Sequence, residues 1–288
     1  MNYILMTFLF NFFELGCFFW SMQVFGLEQA AIIVVCVKVG RLCTETMRSK
    51  SPRTIIGVFS VGIILGILSI HNWLLACISA PMVVYGISKI REHYKTIEKP
   101  SKNYKIFSRI FGFCVAPLFS FWVLIPFVIY LGINMWNSDI IERKTALFPD
   151  LENNKLAYAL LNFHHIHYFS YSLLIPYLAI TVFHINFLLT GIIFVVGWGA
   201  YNIYEGKLKS KTCYVAYGHI VAAIGIALIW YFSHNFFFLM MGWFLTDLGG
   251  GTFYIIKDRL PPDTGKSEVV ELWGQLLGVV LFALAINA

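Results

Sequence analysis

Apolar stretches, each close to the length of a membrane crossing, follow one another from Met1 to Ala288 with only brief polar interruptions. A crossing takes about 20 residues as a helix, and a helix satisfies its own backbone polar groups where no water can. The pattern therefore predicts about 11 transmembrane helices. They are expected near 3–22, 24–40, 54–71, 72–90, 104–119, 120–137, 155–179, 182–204, 212–232, 235–256 and 268–287. Polar breaks as short as His71-Asn72 and His234-Asn235 separate neighbouring stretches, which predicts tight helical hairpins. The expected class is all-α, a polytopic helical membrane protein in two pseudo-symmetric halves.

Composition changes the picture in one direction. Hydrophobic residues make up 59% of the chain and charged residues 12%. A water-soluble fold of 288 residues cannot hide that much apolar surface, so the lipid bilayer is the expected partner. The 3–22 stretch lacks a basic start and carries Asn11 and Glu14, which reads as a retained span rather than a signal peptide. Six cysteines occur without a C-x-x-C pair, mostly inside apolar runs, where cysteine acts as a small hydrophobe. No disulfide, zinc knuckle or cofactor is expected.

The formal net charge of +6 is spread over several loops, which fits a positive-inside membrane protein and not a nucleic-acid partner. Basic clusters follow the second, fourth, eighth and tenth stretches: Arg41 to Arg53, Lys89 to Lys105, Lys207 to Lys211, and Lys257 to Lys266. All four fall on one side only if 104–137 holds two spans. The short loops point to a bacterial inner (plasma) membrane.

An internal echo divides the chain. Asn11-Phe12 is answered by Asn162-Phe163, Lys50-Ser51 by Lys209-Ser210, and His71-Asn72 by His234-Asn235. Gly112 and Ala116 are answered by Gly274 and Gly278. The expected organisation is an N-terminal bundle over 1–137, a central cytoplasmic linker over 138–154 and a C-terminal bundle over 155–288. Carriers are commonly built from such repeats, with the site near the repeat interface.

Two motifs resemble those of the major facilitator superfamily. Gly40-Arg41-Leu42-Cys43-Thr44-Glu45-Thr46-Met47-Arg48-Ser49-Lys50 stands where that family has G-x-L-x-D-R-x-G-R-[RK] between its second and third helices. Gly40, Leu42 and Arg48 match, whereas Thr44 replaces the Asp and Met47 the second Gly. Gly112-Phe113-Cys114-Val115-Ala116-Pro117-Leu118-Phe119-Ser120 is similar to the family's G-x-x-x-G-P-x-x-G of the fifth helix. The resemblance implies a small-solute carrier working by alternating access, with Gly40, Arg41, Glu45 and Arg48 forming a gating loop of charge contacts. The family has twelve helices. The resemblance leaves three readings of the eleven seen here: a reduced member, a partner subunit or second copy that supplies the missing surface, or a count one short.

Ionisable groups inside apolar helices are costly, so each is a functional candidate. Glu14 lies mid-span with Asn11 on the same helical face. In the seventh stretch Asn162-Phe163-His164-His165-Ile166-His167 places His164 and His167 on one face, with His165 turned roughly 100° away. At the offset of the internal echo, His165 answers to Glu14. A carboxylate and imidazoles facing a cavity suit a proton, a transition metal or an anion. Asp247 precedes Gly249-Gly250-Gly251 and is the third candidate, either binding a proton or capping a broken helix. His184 and His219 are expected to be structural, and His71, His93 and His234 are placed in loops. Metal binding rests on His164 and His167 alone.

The expected function is secondary active transport of a small molecule or ion, coupled to protons or another ion. No G-x-x-x-x-G-K-[ST] loop is present to bind a nucleotide phosphate. Two alternatives remain at this point: a non-transporting membrane scaffold, and a histidine-metal membrane enzyme suggested by the box-like His164-His165-x-His167.

Overall fold

The computed structural model of the chain describes residues 2–47, 51–98, 101–137, 145–151, 154–204, 213–232, 234–257, 260 and 265–287. Among these the regular structure is helical. The α-helices are α1 Asn2–Phe25, α2 Leu27–Thr46, α3 Pro52–Leu68, α4 Trp73–Glu98, α5 Lys102–Val115, α6 Ile125–Met135, α7 Lys155–Tyr171, α8 Leu174–Thr181, α9 Phe187–Tyr201, α10 Cys213–Tyr231, α11 Phe236–Gly250, α12 Tyr254–Lys257 and α13 Lys266–Asn287.

Six helical stretches among the described residues are long and apolar enough to cross a bilayer: Asn2–Phe25, Pro52–His71, Trp73–Glu98, Cys213–Tyr231, Phe236–Lys257 and Lys266–Ile286. Phe121–Met135 and Leu189–Tyr201 are apolar but shorter. The difference from about 11 full spans has local causes. The 104–137 region is two helices, as the charge pattern requires, but a 3₁₀ turn at Ala116–Leu118 containing Pro117 shortens the first. The 155–179 stretch is divided into α7 and α8 at Ser172-Leu173, just ahead of Pro176. In α2, Glu28, Lys38, Arg41 and Glu45 interrupt an otherwise apolar helix.

The chain divides into two compact units, Met1–Phe148 with Val279–Ala288, and Pro149–Gly278. In the first unit α1 is packed by α2, α4 and α5, while α3 lies against α4 and α6. The core is aromatic: Phe12 and Phe13 meet Phe119 edge-on at 5.4 Å each, and Trp20 meets Phe121 at 4.9 Å. Such pairs add to their area burial through ring quadrupoles. The first turn of α1 has amide groups with no helical partner, and Glu98 at the end of α4 accepts from Asn2 N and Tyr3 N at 3.0 and 3.1 Å. Gly26, at φ 94°, makes the reversal into α2 in a conformation that costs other residues strain. In the second unit α11 is held between α9 and α10.

Two placements correct the sequence reading. Gly40, Arg41 and Glu45 are not in a loop: they ride on α2, which runs on to Thr46, because helix formers continue past the apolar stretch. Arg48 lies outside the described residues. His93 is likewise not in a loop but on α4, 5% exposed, since α4 continues to Glu98. Of the 138–154 linker, 138–144 and 152–153 are outside the described residues, as are Lys207 to Lys211.

Gly40 permits the crossing of α2 over α4: a Cβ there would stand 2.5 Å from Pro81 Cα and 2.6 Å from Pro81 O. Close crossings through small residues are a main source of helix association in lipid. Gly40→Leu is expected to lower folded yield and melting temperature of the detergent-purified protein. Gly57→Ala, with nothing within 4 Å of its new Cβ, is expected to leave both unchanged or slightly raised. Equal melting of Gly40→Leu and wild type would contradict the crossing.

Candidate functional site

Within the first unit the buried charges converge on Glu14. Lys38 Nζ, on a side chain only 3% exposed, donates to Glu14 Oε1, and Arg41 Nη1 donates to the same oxygen at 3.2 Å. Lys38 and Arg41 are three apart on α2 and so share the face turned to α1. The guanidinium groups of Arg41 and Arg91 lie 4.9 and 4.0 Å from the ring centre of Phe10, a cation–π arrangement that helps compensate their desolvation. Glu14 is thus one end of an ion-pair network. Asn11 beside it is 6% exposed and spends its amide on the backbone, donating from Nδ2 to Thr7 O at 2.6 Å. Lys38 escaped notice in the sequence; its signal was a lone ammonium inside an apolar run.

Beyond the apolar part of α2, Glu45 lies beside Glu92 of α4, their carboxylate oxygens within 4.8 Å. Burial, then the Glu92 carboxylate, pushes the Glu45 carboxyl up to about 7, against the lowering influence of Arg41 and Arg91. The folded state therefore holds a proton here that the unfolded chain has released above about 4.5. Its stabilising contribution is complete below pH 4.5 and is lost as pH rises through 7.

Within the second unit a different set assembles. His164, 1% exposed, stacks on Phe253 with ring centres 4.7 Å apart and faces Tyr168 at 6.2 Å. Its Nε2 lies 3.4 Å from the Tyr201 hydroxyl, and its Nδ1 is buried with no hydrogen-bond partner among the described residues. The His167 ring centre stands 5.2 Å from that of His164, and His219 of α10 stands 6.2 Å from His164 and 5.9 Å from His167. His219 fixes its own ring by donating from Nδ1 to Val215 O at 2.7 Å. His165 turns the other way, as helical spacing required: its Nε2 is 3.7 Å from Glu271 Oε2, and Lys257 Nζ donates to Glu271 Oε1 at 2.8 Å.

Asp247 is fully buried on α11, faced by the Tyr168 hydroxyl, with the Trp243 indole nitrogen alongside. Gly197 of α9 leaves the space that both occupy, since a Cβ there would collide with Trp243 Nε1 and Asp247 Oδ2. The unit thus brings Asp247, Tyr168, Tyr201 and three imidazoles into one buried neighbourhood. Tyr201 and Glu271 were not singled out from the sequence, and His219 was expected to be structural, because their partners come from other helices.

No family model matches the chain, and no curated protein matches it. A search of solved structures returns a bacterial homologue of the iron transporter ferroportin in the outward-facing state, with 13% identity and a TM-score of 0.47. That match covers 99% of this chain and 91% of the other. A likeness of this order leaves function to be argued from the residues themselves.

The charge network and the carboxylate pair each yield a measurement. Lys38→Met leaves Glu14 with Arg41 as its hydrogen-bonded cation and is expected to cost stability towards the lower end of about 3–5 kcal/mol, partly recovered in Glu14→Gln/Lys38→Met. Thermal melting of the purified variants checks this, and full stability of the single variant would contradict it. For Glu45→Gln, the melting temperature is expected to exceed wild type at pH 8 and to converge with it near pH 5. A constant difference across that range would refute the shared-proton arrangement.

Proposed function

We propose that this chain is a secondary transporter of a small solute or ion, moving it by alternating access and coupled to a proton or ion gradient. The proposed residues are Asn11, Glu14, His164, His165, His167 and Asp247, with Gly40, Arg41, Glu45 and Arg48 as gating elements. The observation that carries this reading is Asp247: a fully buried carboxylic acid in an apolar helix, beside Tyr168 and near Tyr201. A group so costly to bury marks a pathway for protons or ions more readily than a packing role. The second support is the sorting of ionisable groups into helix interiors in each unit, where a purely structural bundle would use small and apolar residues.

The reading further takes the two units as functional halves in a plasma membrane, with substrate left as a small molecule or ion. Reconstitution tests it. Proteoliposomes holding an internal pH dye, given a panel of inorganic cations and small organic anions, are expected to show solute-dependent proton movement. Asp247→Asn is expected to abolish gradient-driven uptake while Asp247→Asn protein still elutes as a folded species. Uptake that ignores the pH gradient, together with full activity of Asp247→Asn and Glu14→Gln, would remove the coupling proposal.

A further inference from the structure

We infer that His164, His167 and His219 form a binding site for one divalent transition-metal ion of the zinc, cobalt, nickel and ferrous class. Only the site's part in transport rests on the proposed function; the binding itself does not.

The first support is spacing. With metal–nitrogen bonds of about 2.0–2.1 Å and tetrahedral angles, imidazole centres around one ion stand about 5 Å apart. The three ring centres stand 5.2, 5.9 and 6.2 Å apart, close to that separation, while their ring nitrogens do not all lie within 4.8 Å of one another. Binding draws the nitrogens together by rotation of His167, because His164 is clamped between Phe253 and Tyr168 and His219 is held by the Val215 carbonyl.

The second support is orientation. His219 gives its Nδ1 proton to the Val215 carbonyl, which leaves Nε2 as the lone-pair nitrogen. A backbone carbonyl on the far nitrogen is the usual means of fixing the tautomer of a metal-binding histidine.

The third support is an unmet need. His164 Nδ1 is buried without a hydrogen-bond partner among the described residues. A buried polar atom with nothing to bond is uncommon and calls for an explanation. A metal ion supplies one.

The donor set selects the ion. Three neutral imidazoles suit borderline transition metals, whereas calcium and magnesium require a cage of oxygens. Asp247, close to Tyr201 and Tyr168, lies in the same neighbourhood without being a required ligand.

The test uses full-length protein purified in detergent through a tag without histidines. Cobalt(II) is expected to bind at one equivalent with visible ligand-field bands, to be displaced by zinc(II), and to ignore magnesium. His167→Gln and His219→Gln are each expected to weaken cobalt binding by at least about 10-fold. His71→Gln, at an exposed turn of the first unit, is expected to bind as wild type. If either site variant fails to fold, X-ray absorption of the zinc-loaded wild type decides, with three imidazoles expected in the coordination shell. No bound cobalt, binding unchanged in both variants, or a shell with fewer than two imidazoles would overturn the site. Metal binding without proteoliposome transport would overturn the transport reading and leave the site standing; transport without metal binding would do the reverse.

Discussion

A bilayer offers a charged side chain no water to return to, so a charge placed inside a helix must find its partner within the protein. Glu14 finds Lys38 and Arg41 in the first unit, and Glu271 finds Lys257 and His165 in the second. Removing one member of such a pair leaves an uncompensated charge at a cost of several kcal/mol, while the intact pair contributes little net stability. These pairs therefore constrain which helix faces can meet. Lys38 and Arg41, three apart on α2, turn one face of that helix to α1. Arg41 and Arg91 over the Phe10 ring then join α2 and α4 to the same spot.

Lipid tails are as apolar as leucine, so apolar area alone gives these helices no reason to associate. Close approach through small residues supplies the attraction, and each unit uses it in a similar place. In the first, Gly112 of α5 lies against α1, where a Cβ would stand 2.9 Å from Phe8 O. In the second, Gly274 of α13 lies against α7, where a Cβ would stand 2.5 Å from Asn162 O. These glycines echo each other in the sequence, and so do the helices they meet. Asn162 completes the second contact by donating from Nδ2 to Val270 O at 2.9 Å.

Helix positions were legible because membrane length and apolar runs leave few alternatives, and the split within 104–137 followed from loop charge alone. Helix ends were less legible. α2 and α4 continue as polar helices beyond their apolar parts, which moved Arg41, Glu45 and His93 out of loops. The face shared by His164 and His167, and the divergence of His165 from it, followed from helical spacing. The partners did not: Tyr201, Phe253, His219 and Glu271 meet the histidines only through tertiary packing. Lys38 shows the same limit, since a lone ammonium in an apolar run announces burial but does not name its carboxylate.

The glycine run after Asp247 explains how those partners are brought in. A Cβ at Gly249 would collide with the backbone of Gly218 on α10, and one at Gly251 with the carbonyl of Tyr201 on α9. A Cβ at Gly250 between them would stand in ordinary contact with the Tyr201 ring and His164 Cε1, at 3.6 and 3.7 Å. Three consecutive small residues thus let one chain segment touch α7, α9 and α10 at once. Phe253 follows directly, in the turn Gly251–Phe253, and lies flat under the His164 ring at 4.7 Å and 4°. Any side chain at Gly251 would push this turn away from Tyr201 and withdraw Phe253 from His164. The geometry of the imidazole cluster on α7 and α10 is therefore set from α11, the helix that also holds Asp247.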